Sequence, residues 1–425
     1  MVTAVAPIAA LLLSVALLLT GHGLQGTLLP VRAGLEAYTP FDISVLGSSY
    51  FVGFVIGCVA GPLMVRRAGH IRTFLAMVGI ASSVCLVHAM VLSPAVWWVM
   101  RAFTGMCPAV LYMVIESWLN ARSTNENRGF VFSIYVVINL TVMTLGQMML
   151  ILADPGEFVL FAMASILVSL AAVPIAFTRA PAPEPVETVK LDLSGLYHSS
   201  PLGVLGCLTT GFAIGSFWAL GPLFAQSGGG GAETVAYFMS AAVVGGAVSQ
   251  WPIGWASDRI DRRWVMAAVC ISAGLAGCGL FLAGAADTKI LVAIGFLFGA
   301  FSFPVYALCI AHTNDHVDPE KYVQTASAMF LLSGIGAALG PLLASAAIEF
   351  MGVRILFVYI AAFYLAMTAF TLFRMTRRPA MAEEEQISFA DALRMAKTVS
   401  SMDVLVPEEE DVPAEAVSTP AGSGA

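Results

Sequence analysis

The chain has 425 residues, 59% of them hydrophobic and 11% charged, against about a quarter charged in ordinary soluble domains. It cannot clothe itself in a water-facing surface, so lipid must solvate most of it. The formal net charge of −7 reflects Glu383 to Glu385 and Glu408 to Asp411 in a polar tail; without the tail the balance is near neutral, and nothing points to nucleic acid.

A bilayer core about 30 Å thick needs about 20 apolar residues per helical crossing. The first run, 6–29, lacks a basic leading region and is read as a retained helix rather than a cleaved signal; it carries His22 and Gln25. The next five runs fall at 43–65, 72–92, 95–118, 130–152 and 157–178. Arg101 lies in the fourth, and Asn139 and Gln147 in the fifth. A polar connection, 179–200, follows, and its Pro-rich run APAPEPVE, 180–187, is expected to stay extended. Six more runs follow at 201–225, 234–256, 264–285, 289–311, 323–348 and 353–374. These bring Trp218, Gln226, Gln250, Trp251 and Tyr306. All seven cysteines sit inside apolar runs with no CxxC pair, which favours packing over metal or disulfide chemistry.

Lys and Arg in the short loops set the orientation. Arg66, Arg67, Arg72, Arg122, Arg128, Arg259, Arg262, Arg263, Arg374, Arg377 and Arg378 fall on one side; Arg32, Lys289 and Arg354 fall on the other. Both termini are therefore expected in the cytoplasm. A repeat at a constant offset of 194 relates Gly105 to Gly299, Tyr112 to Tyr306, Asn120 to Asn314, Ser133 to Ser327 and Leu145-Gly146 to Leu339-Gly340. The expected architecture is an all-α membrane protein, with twelve transmembrane helices in two pseudo-symmetric six-helix bundles. The bundles are 1–178 and 201–375, joined by the linker 179–200 and followed by a disordered acidic tail, 376–425. Within the tail, ISFADALRMAKTV can form one short amphipathic helix. Parallel repeats of this kind place a binding site at their interface near the midplane.

The stretch WPIGWASDRIDRR, from Trp251, resembles the loop motif G-x-x-x-D-R-x-G-R-R found in each half of the major facilitator superfamily. Gly254, Asp258, Arg259, Arg262 and Arg263 match, and Asp261 replaces the second glycine. The first-half copy, GPLMVRRAGHIR, keeps Gly69 and Arg67 but has Arg66 where the acid belongs. Arg101-x-x-x-Gly105 is similar to the superfamily's fourth-helix motif, and Glu116 with Arg128-Gly129 to its Glu…Arg-Gly pattern. HGLQGTLLPVRA and ESWLNARSTNENRG further resemble the uncharacterised bacterial YcaD-like branch. The fifth helix lacks the G-x-x-x-G-P-x-x-G-G signature of drug–proton antiporters, although Gly336-x-x-x-Gly340-Pro341 resembles it in the eleventh. The resemblance implies a bacterial cytoplasmic-membrane transporter, monomeric, taking a small-molecule substrate with protons as a candidate coupling ion.

Ionisable groups at membrane depth are functional candidates by default, and few exist here. The candidate cavity set is His22, Gln25, Arg101, Asn139, Gln147, Trp218, Gln226, Gln250 and Tyr306. His22 and Gln25 are spaced i, i+3 and share a helix face; each could equally serve a helix–helix hydrogen bond. Arg101 starts about 9 Å inside its helix end, where substrate contact and an interhelical packing role compete. A fixed Arg101 beside a titrating His22 also favours an anionic or zwitterionic solute. The candidate cytoplasmic gate is Arg66, Arg67, Glu116, Arg128, Asp258, Arg259, Arg262 and Arg263; Glu116 is either a state-dependent latch or a solvated surface pair. No nucleotide-binding loop GxxxxGK[ST] occurs, and neither a cofactor, a metal site nor a catalytic constellation is expected. The function that fits is secondary active transport of a small solute. The alternatives are a passive facilitator or a non-transporting sensor or assembly protein of the same fold; a membrane enzyme has no residues to support it.

Overall fold

The computed structural model of the chain describes residues 8–123, 128–177, 193–284, 287–318, 321–377 and 387–392. The described residues contain twelve helices long and apolar enough to cross a membrane. In the first bundle these are α1 (Ala9–Leu35), α2 (Pro40–Ala68), α3 (His70–Met90), α4 (Pro94–Arg122), α5 (Arg128–Met148, extended by a 3-10 turn, Met149–Leu152) and α6 (Val159–Ala176). In the second they are α7 (Pro201–Gln226), α8 (Gly231–Ser257), α9 (Arg262–Ala283), α10 (Thr288–Asn314), α11 (Tyr322–Met351) and α12 (Ile355–Met375). Several outrun the apolar stretches that announce them, because polar ends continue the helix beyond the depth of the hydrocarbon. Local sequence fixes the starts. Pro40, Pro94 and Pro201 occupy first-turn positions, where their missing N–H costs nothing. Thr39 and Asp42 close a capping box on α2. Past the Pro-rich run, the linker forms a short helix, Leu193–Ser199; 178–192, which includes the run expected to stay extended, lies outside the described residues.

With twelve crossings, α1 begins and α12 ends on the same membrane face, here called the terminal face; the other is the opposite face. Each bundle is held by glycine-mediated crossings that repeat. In the first, Gly53 of α2 and Gly105 of α4 lie so close to the other helix that a Cβ would overlap the carbonyls of Ala102 and Tyr50. In the second, Gly245 of α8 and Gly299 of α10 meet the carbonyls of Phe296 and Ala242 in the same way. A second pair of crossings behaves alike. Gly23 and Gly146 join α1 to α5, and Gly215 and Gly340 join α7 to α11. Small residues let helix backbones approach in lipid, so the sequence repeat around Gly105/Gly299 and Gly146/Gly340 is a repeat of contact geometry.

One apolar core belongs to the first bundle's terminal half, with Val114, Ile115, Leu119 and Phe132 at its centre. The other fills the second bundle and crosses into the first at Leu24, Leu28, Ile43 and Leu46. Those four residues lie in the half of α1 and α2 nearer the opposite face. The bundles are thus packed together towards that face. Gln226 donates to the Val31 carbonyl at 3.4 Å there, and Ala219 fills the notch at Gly47.

Candidate functional site

The packing that joins the bundles leaves a cavity of about 320 Å³ between them. The first bundle contributes His22, Thr27, Tyr50, Phe51, Phe54, Arg101, Tyr112 and Gln147, among others. The second contributes Trp218, Ala219, Phe330, Ser333, Gly334 and Ala337. The halves also touch at the cavity's edges, through the rings of Phe54 and Phe330 (centroids 5.6 Å apart) and a Ser240–Gln147 hydrogen bond of 3.4 Å.

Three polar side chains meet on the first-bundle wall. The Tyr50 hydroxyl and His22 Nε2 are 3.1 Å apart, with the donor set by the imidazole tautomer. The Arg101 guanidinium lies over the Tyr50 ring, 4.7 Å from its centroid. Arg101 is 8% exposed, and its Nε and Nη1 are buried without a hydrogen-bond partner. Among the described residues, no Asp or Glu lines the cavity. A charged side chain at membrane depth costs about 2.5–3.5 kcal/mol on insertion scales. A cation–π contact, worth about 0.5–2 kcal/mol, offsets only part of that. Gln147 is fully buried; its amide oxygen is used by Ser240 and its Nε2 has no partner.

Of the nine candidate cavity residues, the structure brings four to this space: His22, Arg101, Gln147 and Trp218. The other five sit elsewhere. Gln25 turns into a small side pocket within the first bundle, beside Thr104 and Pro108, because i+3 rotates it past the inter-bundle wall. Asn139 donates to the Tyr135 carbonyl one turn back. Gln226 ties α7 to α1 at the opposite face. Gln250 is half-buried but does not line the cavity, and its neighbour Trp251 is 78% exposed. The Tyr306 hydroxyl is buried without a partner, away from this wall. Sequence reasoning missed Tyr50, the ring that carries Arg101 and holds His22. Its signal was a polar-tipped aromatic in mid-span, three residues before the close-packed Gly53.

At the terminal face the two halves differ. Arg66 and Arg67 are exposed, and neither forms an ion pair with Glu116. Glu116 is 2% exposed and accepts from the Tyr135 hydroxyl at 3.4 Å. The Arg128 side chain lies outside the described residues. In the second half, Arg262 is 2% exposed and spans Asp258 (3.4 Å) and Asp315 (3.2 Å). Arg263 pairs with Asp261 at 2.8 Å, and Arg259 stacks on Trp255, 4.4 Å from the ring centre. Burial lifts the Asp315 carboxyl above the usual carboxylate range, and Arg262 pulls against that lift. Burial also acts to raise Asp261, but hydrogen bonds from Arg263 overcome it and hold that carboxyl low.

The tail joins this cluster. Arg262 donates to the Ile387 carbonyl at 2.6 Å. The Ile387 N–H donates to Asp315 at 3.0 Å, and the Phe389 N–H to Asp258 at 2.7 Å. Ser388 and Asp391 cap the short turn. Phe389, 4% exposed, packs on Gly254, where a Cβ would collide with its ring. Residues 389–392 are helical, within the stretch expected to form a short helix, and the backbone groups of Ile387 and Phe389 meet Arg262, Asp315 and Asp258; 378–386 and 393–425 lie outside the described residues.

Comparison with known proteins agrees with this geometry. The family model of the Major Facilitator Superfamily matches residues 11–255 and, overlapping it, 203–402. An uncharacterized MFS-type transporter of Enterobacter sp. strain 638 is 28% identical over 358 residues, covering 84% of this chain and 92% of its own. The uncharacterized MFS-type transporter YcaD of Escherichia fergusonii is 27% identical over 354 residues, covering 83% and 91%. Among solved structures, the nucleoside transporter NupG superposes with a TM-score of 0.73 at 13% identity, covering 88% of this chain and all of its own. A bacterial homolog of the human lysosomal transporter Spinster gives 0.70 at 14% identity, covering 90% and 98%. At such identities these two show the fold.

Proposed function

Because the chain belongs to the major facilitator superfamily and is a multi-pass membrane transporter rather than an enzyme, we propose that it is a secondary active transporter moving a small solute by alternating access, with the terminal face in the cytoplasm. The observation that carries this reading is the inter-bundle cavity, where polar groups such as His22, Tyr50, Arg101 and Gln147 stand in an otherwise largely apolar wall. Contacts between the halves gather at the opposite face, around Val31–Gln226 and Gly47–Ala219. Rocking of one repeat against the other around a fixed site would exchange that seal for one at the terminal face. Glu116, buried at the terminal end of α4, is the residue positioned to act as a latch there. A modest bond present in one state alone biases the equilibrium. Glu116→Gln should therefore shift the ratio of the two conformers in labelled protein; unchanged populations and uptake would remove the latch.

With no carboxylate in the cavity wall, His22 is the side chain there best suited to carry a proton. Uptake into vesicles, with and without an imposed pH gradient, tests this for the native chain and His22→Gln. Gradient-driven accumulation should disappear in the variant; accumulation that persists excludes His22 as carrier. A facilitator is the second reading, favoured by the His22–Tyr50 hydrogen bond, which gives the imidazole a fixed structural task. It predicts no gradient effect even in the native chain.

A further inference from the structure

The two faces of the cavity differ in kind. Every charged or titratable side chain lining it (His22, Tyr50, Arg101 and Tyr112) belongs to the first bundle. The second bundle offers two aromatic rings, Trp218 and Phe330, one hydroxyl, Ser333, and small residues. Arg101 is a buried cation with two unfilled donors and only the face of a tyrosine against it. A neutral solute would leave that charge uncompensated, and a cationic one would add repulsion in a medium that screens poorly. An anion supplies what the wall lacks, and charge-assisted hydrogen bonds to guanidinium are the strong kind. When His22 carries its proton on Nε2 it donates to Tyr50, which frees the phenol hydrogen for the same anion. The volume, about 320 Å³, lies at the lower end of the range for small-molecule sites.

We propose that the solute is a small organic carboxylate with a flat apolar body. Its carboxylate is taken by Arg101 and Tyr50 of the first half, and its body lies against Trp218 and Phe330 of the second. The two ends of one solute then report to different halves, so occupancy itself couples them. This inference rests on the transport reading and narrows it.

The test uses the purified full-length chain, with benzoate, phenylacetate and hexanoate each titrated against its own amide, and sodium chloride as the inorganic control. Binding is read by thermal shift, and labelled benzoate and benzamide are then offered to vesicles. At least one acid should bind ten times or more tighter than its amide. Arg101→Gln should erase that ratio and Arg101→Lys should keep part of it. The ratio in the native chain needs no variant, so it stands even if a substitution fails to fold. Acids that never exceed their amides overturn the proposal, as does stabilisation by chloride alone. Entry of benzamide on a par with benzoate would sink the carboxylate class and leave transport standing. If none of the six compounds binds, the carboxylate inference falls, while the transport reading, which names no solute, stands.

Discussion

The loops after α2 and after α8 hold corresponding places in the two bundles but differ in what they do with charge. In the second half, the buried Arg262 and Asp315 join the partly exposed Asp258 in an ion-paired network that also grips the tail. In the first half, Arg66 and Arg67 stand in the open. The cavity shows the reverse bias, with its ionisable groups all in the first half. The comparison teaches that pseudo-symmetry constrains the backbone crossings while the charges divide the labour. One half carries the ion-paired cluster at the terminal face; the other carries the cavity's ionisable groups.

The largest expected effect is at Arg262. Arg262→Ala leaves Asp315 buried without its cation, and breaking a buried pair from one side costs about 3–5 kcal/mol. Thermal unfolding in detergent should drop sharply, and a near-native transition would mean that the network is ornamental. The glycine crossings are the control, because there the halves should behave alike. Gly105→Leu and Gly299→Leu each force a side chain into a facing helix backbone. Both should cost at least the roughly 1–3 kcal/mol of ordinary overpacking, and a large difference between them would break the symmetry claim. Next comes Phe389→Ala, which strips the tail's buried anchor; burial of such a side chain is worth about 1.5–3 kcal/mol. Deleting 380–425 should lower the melting temperature by a similar energy while membrane insertion proceeds. Unchanged melting would show that the tail is not seated. The smallest effect belongs to Arg66→Ala and Arg67→Ala, exposed and unpaired with Glu116, at about 0.5 kcal/mol or less in the same assay.

Much of the fold was legible because lipid imposes a simple rule. Twelve apolar runs became twelve spans, and the repeat at Gly105/Gly299 turned out to mark backbone approach. Helix ends were less legible, since nothing in hydropathy says how far a helix such as α1 continues past Pro30. The site was half readable. Arg101 and His22 stood out as ionisable groups in apolar runs, and both line the cavity. Gln25 and Asn139, as polar groups in apolar runs, looked like equal candidates but face into the first bundle or back onto their own helix. Rotation about a helix axis separates these cases, and an all-apolar helix carries almost no amphipathic signal to fix it. Tyr50 and Asp315 were passed over because each matters through a partner distant in sequence. The tail was read as acid-rich and loose apart from one short helix in ISFADALRMAKTV; composition gave no sign that Phe389 would pack on Gly254 and give its N–H to Asp258.

The central claim is that transport requires the halves to part at the opposite face. Val31 and Gln226 touch there in this structure. In a chain whose native cysteines have been replaced, and which still takes up solute, Val31→Cys and Gln226→Cys are introduced together and joined by a short bifunctional thiol reagent with a cleavable centre. Crosslinking should abolish uptake, and cleaving the linker should restore it. Uptake that continues undiminished while the two residues stay joined would contradict the account.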